Sequence, residues 1–138
     1  MTSILRSIAA VIVGFVVASA VMMVFETVNG KVLYPGLGKS AEGVTDREVV
    51  RQIMAAAPVG ALLVVIAGWA VGSLCGGFVA GKIAKAGAVR AGIVLGILLT
   101  AAGVANNLAL PPPLWFWPAS LIVMLPCAWF GARAAGGR

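Results

Sequence analysis

From Val59 to Gly81 the chain reads VGALLVVIAGWAVGSLCGGFVAG, with no charged side chain and no proline. A helix needs roughly 20 apolar residues to cross roughly 30 Å of bilayer hydrocarbon, and this stretch supplies them. Three more apolar stretches of similar length occupy residues 5–28, 88–110 and 114–132. Four such stretches in 138 residues leave too little polar surface to enclose them in water. Only 10% of the residues are charged and 62% are hydrophobic, whereas a soluble domain is about a quarter charged and about half apolar. Lipid is therefore the expected solvent for much of the surface.

In hydrocarbon each peptide group has to find its bond within the protein, which leaves helices or closed barrels. The Gly/Ala-rich runs lack the alternation of barrel strands. The expected fold is an all-α integral membrane protein, a single domain over residues 1–138. It is a four-transmembrane-helix bundle with spans at about 5–28, 59–81, 88–110 and 114–132, an outer loop at 29–58, and a short outer-face amphipathic helix. Ala18-Ser19-Ala20 has the form of a signal-peptide cleavage site. The apolar run continues through Val21-Met22-Met23-Val24-Phe25, so the segment reads as an uncleaved first span.

Charge sets the orientation. Arg6, Lys82, Lys85, Arg90, Arg133 and Arg138 fall at one end of the expected bundle, with no acid among them. The first connection mixes Lys31, Lys39, Arg47 and Arg51 with Glu42, Asp46 and Glu48, and the third carries no charge. The positive-inside rule then places both termini in the cytoplasm of a multi-pass protein of the cell (inner) membrane. The formal charge of +6 becomes a topology signal. No aromatic residues interleave with it, and no nucleic-acid partner is expected.

In the first connection Pro35-Gly36 and Gly38 are turn formers, and Thr45-x-x-Glu48 has the spacing of a capping box. Val49, Val50, Ile53, Met54 and Ala57 share one helical face. This predicts an amphipathic helix over about 46–57 on the outer membrane surface; a simple extension of the second span is the other reading. Pro111-Pro112-Pro113 ends the third span, and Trp115 and Trp117 follow at the outer interface. Pro126 removes the bond to the Ile122 carbonyl and predicts a bend.

Small residues recur at four-residue spacing: Gly68, Gly72 and Gly76; Ser73, Gly77 and Gly81; Ala88, Gly92, Gly96 and Thr100. Such stripes let helix backbones approach closely. They fit an interface between copies, or packing of the second and third spans within one chain.

The polar residues of the spans gather in depth. Glu26 stands about 30 Å above Arg6, and Asn106 and Asn107 stand about 24–26 Å above Arg90, at 1.5 Å per residue. Asn29 shares a face with Phe15, Ser19, Met22 and Glu26. An unpartnered amide in hydrocarbon costs several kcal/mol. The candidate polar cluster is therefore Glu26, Asn29, Asn106 and Asn107, with the two later amides bonding to the first span and capping carbonyls freed at the proline corner. An intramembrane acid also suggests proton coupling or cation binding. The plainer reading has Glu26 snorkelling to the outer surface beside two structural amides.

The chain has no histidine, and its two cysteines, Cys75 and Cys127, form no CxxC pair. Nothing in it pairs a nucleophile with a base or cradles a phosphate. No catalysis, metal or cofactor is expected. The leading functional reading is a non-enzymatic accessory, assembly or scaffold subunit of a membrane complex, in contact with the lipid bilayer and in a homo-oligomer or larger assembly. The alternative is a small homo-oligomeric transporter or channel for a small solute or ion, proton-coupled through Glu26.

Overall fold

Long runs of Ala, Val, Leu and Ile with no interior proline close into helices wherever lipid or packing removes water from the backbone. The computed structural model describes residues 3–136, so Arg138 of the expected basic end lies outside the described residues. All regular structure among the described residues is helical. Helix α1 (Ser3–Val28) runs into a π-helical turn, Asn29–Leu33, that ends at Tyr34, and α2 (Pro35–Ala41) and α3 (Arg47–Ala56) follow. Helix α4 (Val59–Ala84) equals α1 at 26 residues; then come a 3₁₀ turn at Lys85–Gly87, α5 (Ala88–Ala109), α6 (Phe116–Leu121) and α7 (Met124–Ala134).

Two stretches are long and apolar enough to cross a bilayer, where four were expected: Ser3–Leu33, 31 residues, and Val59–Ala109, 51 residues. The second holds both the second and third expected spans. Lys85 breaks the rod with φ 58° and ψ −108°, a backbone conformation that L-residues rarely adopt. The chain folds back there, and Gly103 of α5 comes beside Trp69 of α4. The expected fourth span, 114–132, is divided into α6 and α7, each shorter than a crossing. Ile122 and Val123 keep right-handed helical dihedrals between them. The Ile122 N–H bonds to the Pro118 carbonyl and the Cys127 N–H to the Val123 carbonyl, both at 3.1 Å. What the helix loses is the bond that Pro126 cannot donate to Ile122.

Helix α4 is the centre of the bundle, with α1 on one side and α7 on another. Its glycines make this possible. A β-carbon on Gly68, Gly72 or Gly76 would strike Phe25, Met22 or the Gly14 carbonyl, all on α1. One on Gly77 or Gly81 would strike Ala128 or Ala132 of α7. On α5, Gly92 and Gly96 likewise meet Ala132 and Leu125 of α7. The stripes of the second and third expected spans therefore do not pack on each other. Gly76 and Gly77 are neighbours in sequence and about 100° apart on the helix, so one helix offers two shallow faces to two different partners. Ala10, Ala18, Leu95, Leu99, Trp69 and Met124 fill the space between.

The residues expected at the basic end, Arg138 aside, come together there. Gly87 lies beside Ser7 and Arg90, and Gly81 beside Ala132 and Ala135; this brings the start of α1, the α4–α5 turn and the end of α7 together. Lys82 lies over the Phe78 ring at 5.4 Å, and Arg133 over the Trp129 ring at 5.3 Å.

Candidate functional site

The opposite end is built from the last turn of α1, the loop helices and the end of α5. The π-helical turn ends where Tyr34, at φ −135° and ψ 63°, donates its N–H to the Asn29 carbonyl at 2.8 Å. Pro35 opens α2, as its fixed φ favours. Gly38 then rests so closely on Gly30 that a β-carbon would overlap the Gly30 carbonyl. Thus α2 folds back over the end of α1.

Helix α3 begins with Asp46 as its cap. The Asp46 carboxylate accepts from Glu48 N–H at 2.9 Å and Val49 N–H at 3.3 Å. The expected Thr45 box does not form, because Asp46 occupies the position whose side chain reaches the second and third amides. Met54 and Ala57 pack against the bundle core. Val49 and Ile53 instead line a hollow of about 540 Å³ shared with Tyr34 and Leu37.

Glu26 stands between two further hollows. Towards the loops it lines a space of about 560 Å³ with Lys31, Lys39 and Glu42. Towards the bundle it lines one of about 200 Å³ with Phe15, Ser19, Met22, Trp69 and Asn106. The Trp69 side chain is a hydrogen-bond partner of its carboxyl; an indole can only donate. The Trp69 ring is held edge-on to Phe116, with centroids 5.8 Å apart.

The expected cluster therefore divides. Glu26 and Asn106 do meet at one hollow. Asn29 is buried and turns the other way, donating its side-chain amide to the Ala61 carbonyl at 3.0 Å; it ties α1 to the first turn of α4. Asn107 is buried too, and donates to the Ser120 hydroxyl at 3.3 Å. Ser120 in turn donates to the Trp117 carbonyl at 3.2 Å. Asn107 thus ties α5 to α6 rather than to α1. Two adjacent helical residues point about 100° apart, so Asn106 and Asn107 cannot serve one partner. Nor do their side chains cap the end of α5, since the Leu110 N–H closes that turn on the Asn106 carbonyl at 2.8 Å.

Three residues of this end carried no sequence signal. Ser120 holds Asn107, Tyr34 closes the π-helical turn, and Ala61 acts through its backbone alone. Ser73 is fully buried, and its hydroxyl has no hydrogen-bond partner among the described residues. Among the described residues no three His, Cys, Asp or Glu side chains lie close enough to hold a metal, and Cys75 and Cys127 are free thiols. The site offers one carboxylate acceptor, an indole donor and a half-buried amide around a small hollow.

The chain matches no family model, no curated protein and no solved structure.

Proposed function

We propose that this chain is a small non-enzymatic integral membrane protein that serves as an accessory, assembly or scaffold subunit of a larger membrane complex. On this reading α1, α4, α5 and the α6–α7 pair are four spans. Phe116 to Ala134 covers about 28 Å at 1.5 Å per residue, close to the hydrocarbon thickness. Helix α3 lies at the outer face, and both termini are cytoplasmic in the cell (inner) membrane, as the one-sided Lys/Arg distribution favours.

The carrying observation is how the side chains are spent. The buried amides of Asn29 and Asn107 each donate within the chain, while their Oδ1 atoms find no partner among the described residues, and the glycine faces are filled by its own helices. The outward faces of α1 and α5 carry large apolar groups, Ile4, Ile8, Ile12 and Val16 on one and Ile93 and Ile97 on the other, with Glu26, Thr27 and Arg90 exposed towards their ends. Such a bundle has its interior closed and its flanks free for lipid and neighbouring helices. Isolation in mild detergent is expected to recover it in a stable complex with other membrane subunits. Recovery only as a homo-oligomer would count against this role.

Glu26 favours a second reading, a homo-oligomeric carrier coupled to protons, because this acid lines both hollows. Proteoliposomes under a pH gradient should then show a proton flux that Glu26→Gln removes without lowering the amount of protein in the membrane. A wild-type flux equal to that of empty vesicles ends this reading.

A further inference from the structure

The seam between α1 and α5 is looser than the α1–α4 and α5–α7 crossings. Helix α1 is drawn onto α4 through Gly14, Gly72 and Gly76, and α5 onto α7 through Gly92 and Gly96. Between them, at the basic end, remains a recess of about 370 Å³ walled by Ile8, Ile12, Val94 and Leu98, with Ser7 and Arg90 among its lining. The Arg90 guanidinium and the Ser7 hydroxyl lie together beside Gly87, 3.5 and 3.7 Å from where its β-carbon would stand. Arg90 has no acidic partner: the one ion pair among the described residues joins Arg51 to Glu48.

We propose that this seam binds an anionic phospholipid of the inner leaflet, with one acyl chain in the recess and the phosphate between the Arg90 guanidinium and the Ser7 hydroxyl. The proposal rests on the membrane reading above, with the basic end in the cytoplasmic leaflet. A guanidinium fork matches phosphate oxygens in geometry and charge, and basic recesses between helices on the cytoplasmic side suit anionic headgroups. From Arg90 to Leu98 the recess runs about 12 Å at 1.5 Å per residue, within the roughly 15 Å of one leaflet. Spread over that length, its volume gives a cross-section of about 30 Å². That leaves room for a single hydrocarbon chain along the groove.

The test uses the full chain in nanodiscs of phosphatidylcholine doped with phosphatidylglycerol, with retained lipids read by native mass spectrometry. Phosphatidylglycerol should be enriched over its bulk share. Arg90→Gln should lower that enrichment about tenfold, as loss of a charged hydrogen bond implies. Val94 is well exposed, so Val94→Trp fills the recess without disturbing the core, and should remove the retained adduct of either lipid. Lys82→Gln, at the same end over the Phe78 ring, should leave the enrichment intact. Wild-type enrichment in Arg90→Gln, an equal loss in Lys82→Gln, or an adduct that survives Val94→Trp would each overturn the proposal. So would Val94→Cys forming disulfides between copies, since a second chain would then occupy the seam. A protein that enters nanodiscs but shows no lipid preference sinks the seam alone; one that does not enter them sinks the membrane reading with it.

Discussion

A β-carbon on Gly76 would stand 2.5 Å from the Gly14 carbonyl oxygen, and one on Gly14 would stand 2.8 Å from the Gly76 carbonyl oxygen. At this crossing α1 and α4 touch backbone to backbone, and neither chain can yield by turning a side chain aside. Gly76→Leu must push the helices apart and is expected to destabilise the fold by about 1–3 kcal/mol or more, the usual range for overpacking. Gly36→Ala, where a β-carbon meets nothing within 4 Å, should stay within about 0.5 kcal/mol of the parent. Cys75 and Cys127 are half-buried free thiols, so thermal unfolding followed by a thiol-reactive dye in detergent reads both variants.

Asn29 and Asn107 should differ in their sensitivity to truncation. Asn29 donates at 3.0 Å to a backbone carbonyl that cannot move away. The Asn107 bond is longer, 3.3 Å, and its partner Ser120 keeps a bond to the Trp117 carbonyl without it. Asn29→Ala is expected to lower stability by about 1–3 kcal/mol and Asn107→Ala by about 1 kcal/mol or less. The same dye assay ranks them; a larger loss for Asn107 would show that the tie between α5 and α6 holds the outer end.

Asp46 alone caps α3. Asp46→Ala should cost about 0.5–2 kcal/mol of local helix stability, the range for loss of an N-cap, and Thr45→Ala should cost nothing measurable. Amide hydrogen exchange over residues 48–56 reports it directly. Faster exchange in the Thr45 variant would restore the capping box suggested by its spacing to Glu48.

Ser73 buries a hydroxyl that finds no partner among the described residues. A buried polar group left unbonded costs about 1–3 kcal/mol. Ser73→Ala should therefore raise the unfolding temperature, with a gain of about 1 kcal/mol. A fall instead would reveal a bond that the hydroxyl makes in the folded protein.

The candidate site was legible in depth and not in direction. Counting 1.5 Å per residue brought Glu26, Asn29, Asn106 and Asn107 to one end, and all four lie there. Pairing them failed because depth says nothing about rotation. Asn29 reaches Ala61, a residue with no polar side chain to mark it, and Asn107 reaches Ser120 in a segment read as apolar. Only Glu26 and Asn106 share a hollow. The capping residue of α3 was missed by one position, within the ordinary uncertainty of a helix end.

Apolar run length, proline and glycine positions and one-sided charge are local quantities, and they were enough to read a helical chain whose long apolar runs need a cover other than water, with breaks near Lys85–Gly87 and after Ala109; the turn expected at Pro35-Gly36 and Gly38 is instead helix α2, which Pro35 opens. The sequence by itself also marked the stripes of small residues, because spacing alone puts Gly68, Gly72 and Gly76 on one face. Only the tertiary structure decided that this face meets α1, that Gly77 and Gly81 meet α7, and that α1 and α5 are left with a seam between them. A stripe specifies how close a neighbour can come, not which neighbour it is. That choice depends on how four helices rotate together to fill one interior, and no single segment encodes it.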